Sequence, residues 1–185
     1  MSLHIITGPM FAGKSSEILH IQNRYKSLGW NVCLITHLSD SRYSSENVLV
    51  NHDKYSSPCL RIPTLFELIF NNNNNYVSSK VVIIDEAQFF TDLKDFVVWA
   101  VEQDKKQVYI VGLDGDAERK PFGQILDCIP LADTIVKLKA FCRLCGDGTE
   151  AIMTKCTKPE QKQGQVHVGG AELYEPVCRW HFLKD

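Results

Sequence analysis

The stretch Leu3-His4-Ile5-Ile6-Thr7-Gly8-Pro9-Met10-Phe11-Ala12-Gly13-Lys14-Ser15 decides the fold of this chain. Its first five residues are largely apolar, rich in β-branched side chains and stopped by glycine, the pattern of a short buried strand. Gly8 to Ser15 then satisfies G-x-x-x-x-G-K-[ST], a loop whose backbone N–H groups, with the dipole of the helix behind them, bind phosphate oxygens. From Ser16 to Leu28 the apolar residues Ile18, Leu19, Ile21, Tyr25 and Leu28 recur at helical spacing, and Gly29 stands where a helix C-cap is expected. A glycine loop between a buried strand and an amphipathic helix is the setting in which this pattern has a mechanism and is not a plain turn. Lys14 can reach the β and γ phosphates of a bound ATP, and the Ser15 hydroxyl can ligate Mg²⁺.

Working outward, Asn31 to Thr36 reads as the next strand, completing a βαβ unit. Lys80 to Asp85 and Gln107 to Gly112 are short Val/Ile runs, as expected for strands covered on both faces, and Leu93 to Glu102 between them has a helical pattern. Ile135 to Leu138 is a candidate further strand. The expected architecture is α/β, a mostly parallel sheet flanked by helices over residues 1–140. Asn71 to Asn75 is pure asparagine and reads as a surface loop, because those side chains compete with regular structure. Beyond about Ala140 scattered Cys, Gly, Lys and Gln leave too little continuous apolar sequence for an independent core, so residues 141–185 need a staple.

Val81-Val82-Ile83-Ile84-Asp85-Glu86 is an apolar strand ending in two acids, the form of a Walker B segment. An isolated acid pair at a strand end is ordinarily solvated, but beside this loop Asp85 is placed for Mg²⁺ or its water. Strand alternation would then turn Glu86 elsewhere, available as a base toward water or a substrate hydroxyl.

The staple is suggested by Cys142-Arg143-Leu144-Cys145 and Cys178-Arg179-Trp180-His181, C-x₂-C and C-x₂-H pairs that supply four ligands for tetrahedral Zn²⁺. Four protein ligands leave no open position, so the metal would be structural. A redox C-x-x-C is the competing reading, but Cys142 and Cys145 do not open a helix after a first strand. Clamped at both ends, Gly146 to Val177 can lie over a substrate, with Gly169-Gly170 allowing close backbone approach.

Bulk properties bound the function. The chain has 185 residues and a formal charge of −2, with no long Lys/Arg run, which argues against nucleic acid and for small-molecule partners. There is no apolar span near membrane length and no basic leader, so a cytoplasmic protein with no membrane partner is expected. Seven cysteines are an odd count, and Cys33, Cys59, Cys128 and Cys156 read as buried thiols.

The segments GPMFAGKS, DSRYSS, DEAQFF, GLDGDAERKPFG, AFCRLC, GGAELY and PVCRWH together resemble the type II thymidine kinases, in that family's order from Gly8 to His181. The resemblance implies a RecA-like P-loop fold with a small zinc-binding lasso domain and transfer of the ATP γ-phosphoryl group to the 5′-hydroxyl of thymidine. It assigns Glu86 as general base and Arg42, in Asp40-Ser41-Arg42, to the transferring phosphoryl group, with Asp40 and Gln88 counted among the ATP-side residues. The nucleoside pocket maps onto Met10, Phe89, Leu113, Phe122, Thr154 and Tyr174, and the segment Gln165, Val166, His167, Val168 and Gly169 meets the base through its backbone. Thymine offers an N3–H between two carbonyls, a pattern that cytosine cannot match. Ala117 departs from the aromatic residue common there, which extends the expected acceptors to deoxyuridine. The resemblance further implies homo-oligomers, often tetramers, and inhibition by dTTP. The alternative is a zinc-ribbon ATPase acting on nucleic acid, with Glu86 activating water and a basic patch at Arg143, Lys155, Lys158 and Lys162.

Overall fold

The computed structural model describes residues 1–39, 48–50, 56–158, 165, 169–170 and 172–184. Ser2–Thr7 forms β1 and Lys14–Ser27 forms α1, which ends at Leu28 with Gly29 in the left-handed region at φ +71°. Ile18, Leu19 and Ile21 of the helical stripe are buried, whereas Leu28 is 65% exposed and lies outside the buried face. Val32–His37 is β2, followed by a short antiparallel pair, β3 (Val48–Val50) and β4 (Ser56–Pro58), and by β5 (Leu60–Ile62).

The asparagine run is not a simple loop. It joins α2 (Glu67–Phe70) to α3 (Asn74–Ser78), and Asn73 caps α3 by accepting from the backbone N–H groups of Asn75 and Tyr76. The same local hydrogen bonding that disfavours Asn inside helices makes it a good first cap. Tyr76, 3% exposed, supplies the apolar anchor: its hydroxyl donates to Asp104 at 2.5 Å, and Lys106 donates to the carbonyls of Tyr76 and Ser79 at 2.8 Å each.

Val81–Ile84 is β6, Leu93–Val98 is α4 with a wide π-helical turn over Trp99–Gln103, Gln107–Gly112 is β7 and Thr134–Lys137 is β8. The sheet order is β5-β2-β6-β7-β1-β8, with every pairing parallel. Alternation along β6 explains why the sheet is covered twice. Val81 and Ile83 join Ile18, Leu19 and Ile21 of α1 on one face, while Val82 and Ile84 join Leu93 and Phe96 of α4 on the other. All four β6 residues have 0% exposure, each contributing about 1.5–3 kcal/mol of burial. Edge strand β8 differs, being exposed along its length.

The C-terminal segment adds two small antiparallel pairs, β9 (Ala140–Phe141) with β10 (Glu150–Ala151) and β11 (Met153–Cys156) with β12 (Tyr174–Val177), then α5 (Arg179–Leu183). Its buried cluster is Ala140, Cys142, Ala151, Met153 and Val177, with Ala12 of the glycine loop packed against it. No helix among the described residues is long and apolar enough to cross a membrane.

Candidate active site

In a parallel sheet the loops at the carboxyl ends of the strands face one crevice. Three such loops, after β1, β6 and β7, carry the residues of interest. After β1 the backbone turns at Gly8, where a Cβ would lie 2.6 Å from the Leu138 carbonyl oxygen, and at Gly13, the left-handed N-cap of α1. Lys14 is buried, its ammonium donating to the carbonyls of Gly8 and Pro9 at 3.0 and 2.8 Å. Ser15 follows, half-buried in the first turn of α1.

Strand β6 stops at Ile84, so the two acids diverge for a different reason than strand alternation. Glu86 adopts a left-handed conformation, φ 49° and ψ 41°, and its N–H donates to Asp85 Oδ1 at 2.9 Å. That conformation costs a non-glycine residue about 1–2 kcal/mol and directs the Glu86 side chain into the cavity next to the glycine loop. Both carboxylates are buried, at 2% and 7% exposure.

Gln88 lines the same cavity, beside Glu86. Its Nε2 donates to Glu86 Oε2 at 2.5 Å and its Oε1 accepts from the Leu113 N–H at 3.0 Å, fixing both ends of the carboxamide. Two glycines make room for it. A Cβ on Gly112 would approach Gln88 Oε1 to 2.3 Å, and one on Gly123 would approach the Gln88 carbonyl oxygen to 2.1 Å.

The cavity gathers Met10, Glu86, Phe89, Leu113 and Phe122 from the sheet loops with Thr154, Gln165, Gly169 and Tyr174 from the C-terminal segment. Phe89 and Phe122 meet edge to face at 5.6 Å, forming an aromatic wall with Ala117 beside it. The two parts of the chain are joined across the cavity floor, where the Met10 N–H donates to Thr154 Oγ1 at 3.0 Å.

In the same C-terminal segment, the Sγ atoms of Cys142, Cys145 and Cys178 and His181 Nδ1 all lie within 4.8 Å of one another. The sulfur-to-nitrogen distances are 3.4, 3.3 and 3.5 Å and one sulfur pair is 3.8 Å apart. Tetrahedral Zn²⁺ would separate its ligands by about 3.6 Å (S to N) and about 3.8 Å (S to S), so the donor set fits that ion. Burial alone would raise the Cys142 thiol, but the backbone N–H groups of Cys178, Cys145 and Leu144 and the Cys145 side chain lower it, while burial and the same sulfur contact raise Cys145.

With the site in view, the comparisons with known proteins decide the family. A family model described as thymidine kinase matches residues 1–182. Thymidine kinase of Oryza sativa subsp. japonica is 42% identical over 98% of this chain and 66% of its own length. Cytosolic thymidine kinase of Homo sapiens is 36% identical over 98% of this chain and 73% of its own, and thymidine kinase of Choristoneura fumiferana entomopoxvirus 34% over 97% and 95%. The chain belongs to the thymidine kinase family.

As a member of the thymidine kinase family, the chain thus spans about two thirds of the rice protein and nearly all of the viral one. Asp40, Arg42, Val166, His167 and Val168 lie outside the described residues. The basic patch considered above dissolves in part, because Lys155 donates to the carbonyls of His181 and Lys184 and serves the C-terminal helix. Sequence reasoning missed the part played by Gly112 and Gly123. The only signal was their place in GLDGDAERKPFG, which does not show that both face Gln88. Of the cysteines outside the tetrad, Cys33, Cys59 and Cys128 are buried as expected and Cys156 is only half-buried.

Proposed function

We propose that the chain transfers the γ-phosphoryl group of ATP to the 5′-hydroxyl of thymidine, giving dTMP and ADP, with deoxyuridine as a further acceptor. The observation that carries this is the placement of Glu86. A buried carboxylate, oriented by Gln88, stands where the phosphate loop adjoins a cavity walled by Phe89, Phe122 and Tyr174. ATP occupies the loop Gly8, Pro9, Met10, Phe11, Ala12, Gly13, whose N–H groups and Lys14 meet the phosphates. Ser15 and Asp85 are the residues to hold Mg²⁺, which supplies charge neutralisation at the phosphates when bound. The nucleoside lies against Met10, Phe89, Leu113, Phe122, Thr154 and Tyr174. Glu86 accepts the 5′-hydroxyl proton as that oxygen forms its bond to the γ-phosphorus, and the bond from that phosphorus to the β,γ-bridging oxygen breaks, with ADP leaving. Asp40 and Arg42 belong to the phosphoryl side of the same reading.

Residues 1–140 form the nucleotide-binding domain in this proposal and 141–185 a zinc-binding domain whose Gly146 to Val177 segment covers the nucleoside. Cys142, Cys145, Cys178 and His181 are the residues to hold Zn²⁺, a structural role, since all four positions are filled. A cytoplasmic homotetramer subject to dTTP inhibition completes the reading.

The test is incubation with ATP, Mg²⁺ and each deoxynucleoside, scoring monophosphate. Thymidine-dependent product is expected, and its absence from metal-replete protein overturns the proposal. Glu86→Gln should keep ATP binding and lower kcat by about 10²- to 10⁴-fold. An unchanged kcat would remove Glu86 as the base.

A further inference from the structure

We propose that Asp116 is a positioning residue for nucleoside binding, holding Gln165 against the wall of the acceptor cavity; this rests on the kinase reading above. Asp116 lies in the turn after β7 and is 8% exposed. Its two carboxylate oxygens have separate tasks. Oδ1 accepts from the backbone N–H groups of Glu118 and Lys120 at 2.8 and 2.9 Å, which fixes the turn. Oδ2 accepts from Gln165 Nε2 at 2.9 Å, a contact between residues 49 positions apart.

Gln165 Nε2 also donates to the Pro121 carbonyl at 3.0 Å. A carboxylate and a carbonyl can only accept, so together they dictate the orientation of the carboxamide: its NH₂ faces the turn, and Oε1 keeps acceptor capacity only. Both Asp116 and Gln165 line the cavity that contains Glu86, Phe89 and Phe122. An exposed glutamine has several free torsions, and a charge-assisted bond to a fixed, buried carboxylate removes that freedom in advance of ligand binding. Ala117, the next residue, has no bulk with which to wedge Gln165 in place. A polar clamp therefore defines this side of the cavity.

The hydrogen bonds of the clamp run to Glu118, Lys120 and Pro121 and not to Glu86 or Lys14, so the clamp acts on nucleoside affinity and leaves the phosphoryl-transfer step alone. Asp116→Asn separates the two tasks, because the Asn oxygen can still accept from Glu118 and Lys120 while its NH₂ opposes the NH₂ of Gln165. The expected result is a KM for thymidine raised about tenfold, with kcat and the KM for ATP within twofold of wild type. Gln165→Ala should raise the thymidine KM by a similar factor, and D116N/Q165A should add nothing to it, because the two side chains act as one unit. Cleavage by endoproteinase Lys-C after the exposed Lys158, scored without nucleoside, should accelerate several-fold in D116N. An unchanged thymidine KM, a parallel loss of kcat and ATP binding, or additive losses in D116N/Q165A overturns the clamp. Absence of thymidine turnover in the wild type overturns the kinase reading instead, and the clamp is then judged on the Lys158 cleavage alone.

Discussion

The sheet body and the C-terminal segment are held by opposite means. In the body, stabilisation is spread over two large apolar layers, one on each face of a six-stranded sheet, and no single residue dominates either. In the segment, two short strand pairs enclose Ala140, Cys142, Ala151, Met153 and Val177, and the three sulfurs and one imidazole of the tetrad concentrate what remains. A distributed core loses stability in increments. A segment closed by four ligand atoms fails as a unit, and here that unit brings Thr154, Gln165, Gly169 and Tyr174 to the acceptor cavity.

The contrast is broken most forcefully at the tetrad. Cys178→Ala, or chelation of the wild type, should remove the ion and abolish nucleoside turnover while ATP still binds within a few-fold, read by titration with a fluorescent nucleotide. Structural zinc contributes about 10–16 kcal/mol in small zinc modules, far beyond what five small buried side chains can replace. Joint loss of ATP binding and of the sheet's circular dichroism signal would show that the two regions are one cooperative unit.

Next in size is a test of the body. Phe96, with 0% exposure and packed edge-on to Phe66 at 5.9 Å, should cost about 3–5 kcal/mol as Phe96→Ala, measured by urea unfolding. ATP and thymidine binding should weaken together, whereas zinc content stays constant. The smallest effect is expected at the seam. Thr154→Val leaves the Met10 N–H without its partner and should cost about 1–3 kcal/mol, raising the KM for thymidine ahead of the thermal midpoint changing. Equal shifts in both would mean that the seam belongs to the body.

Legibility followed the same division. The central strands β1, β2, β6 and β7 could be read because burial writes continuous apolar, β-branched runs, and the glycine loop because its spacing is dictated by phosphate geometry, whereas edge strand β5, three half-buried residues long, carries no such run. The tetrad was legible from ligand spacing alone, although the packing of Ala12 of the glycine loop against the same segment was not. What could not be read depends on contacts between distant residues: Thr154 reaches Met10 across 144 positions, and Gln88 fits against Gly112 at the end of β7 and Gly123 beyond it. The asparagine run misled for a local reason. Its composition signals loop, but one residue of it acts as a cap, and Tyr76 just beyond supplies the burial that a helix there needs.

Lys14 has a consequence for selectivity. Its ammonium is already solvated by the Gly8 and Pro9 carbonyls. An incoming anion therefore exchanges partners with the loop and gains little from the charge alone. A lone phosphate that only replaces those carbonyls comes close to breaking even, whereas a polyphosphate that also takes up the successive loop N–H groups adds contacts with no counterpart before binding. The loop behaves as a threshold device, responding to the length of the phosphate chain more than to its charge.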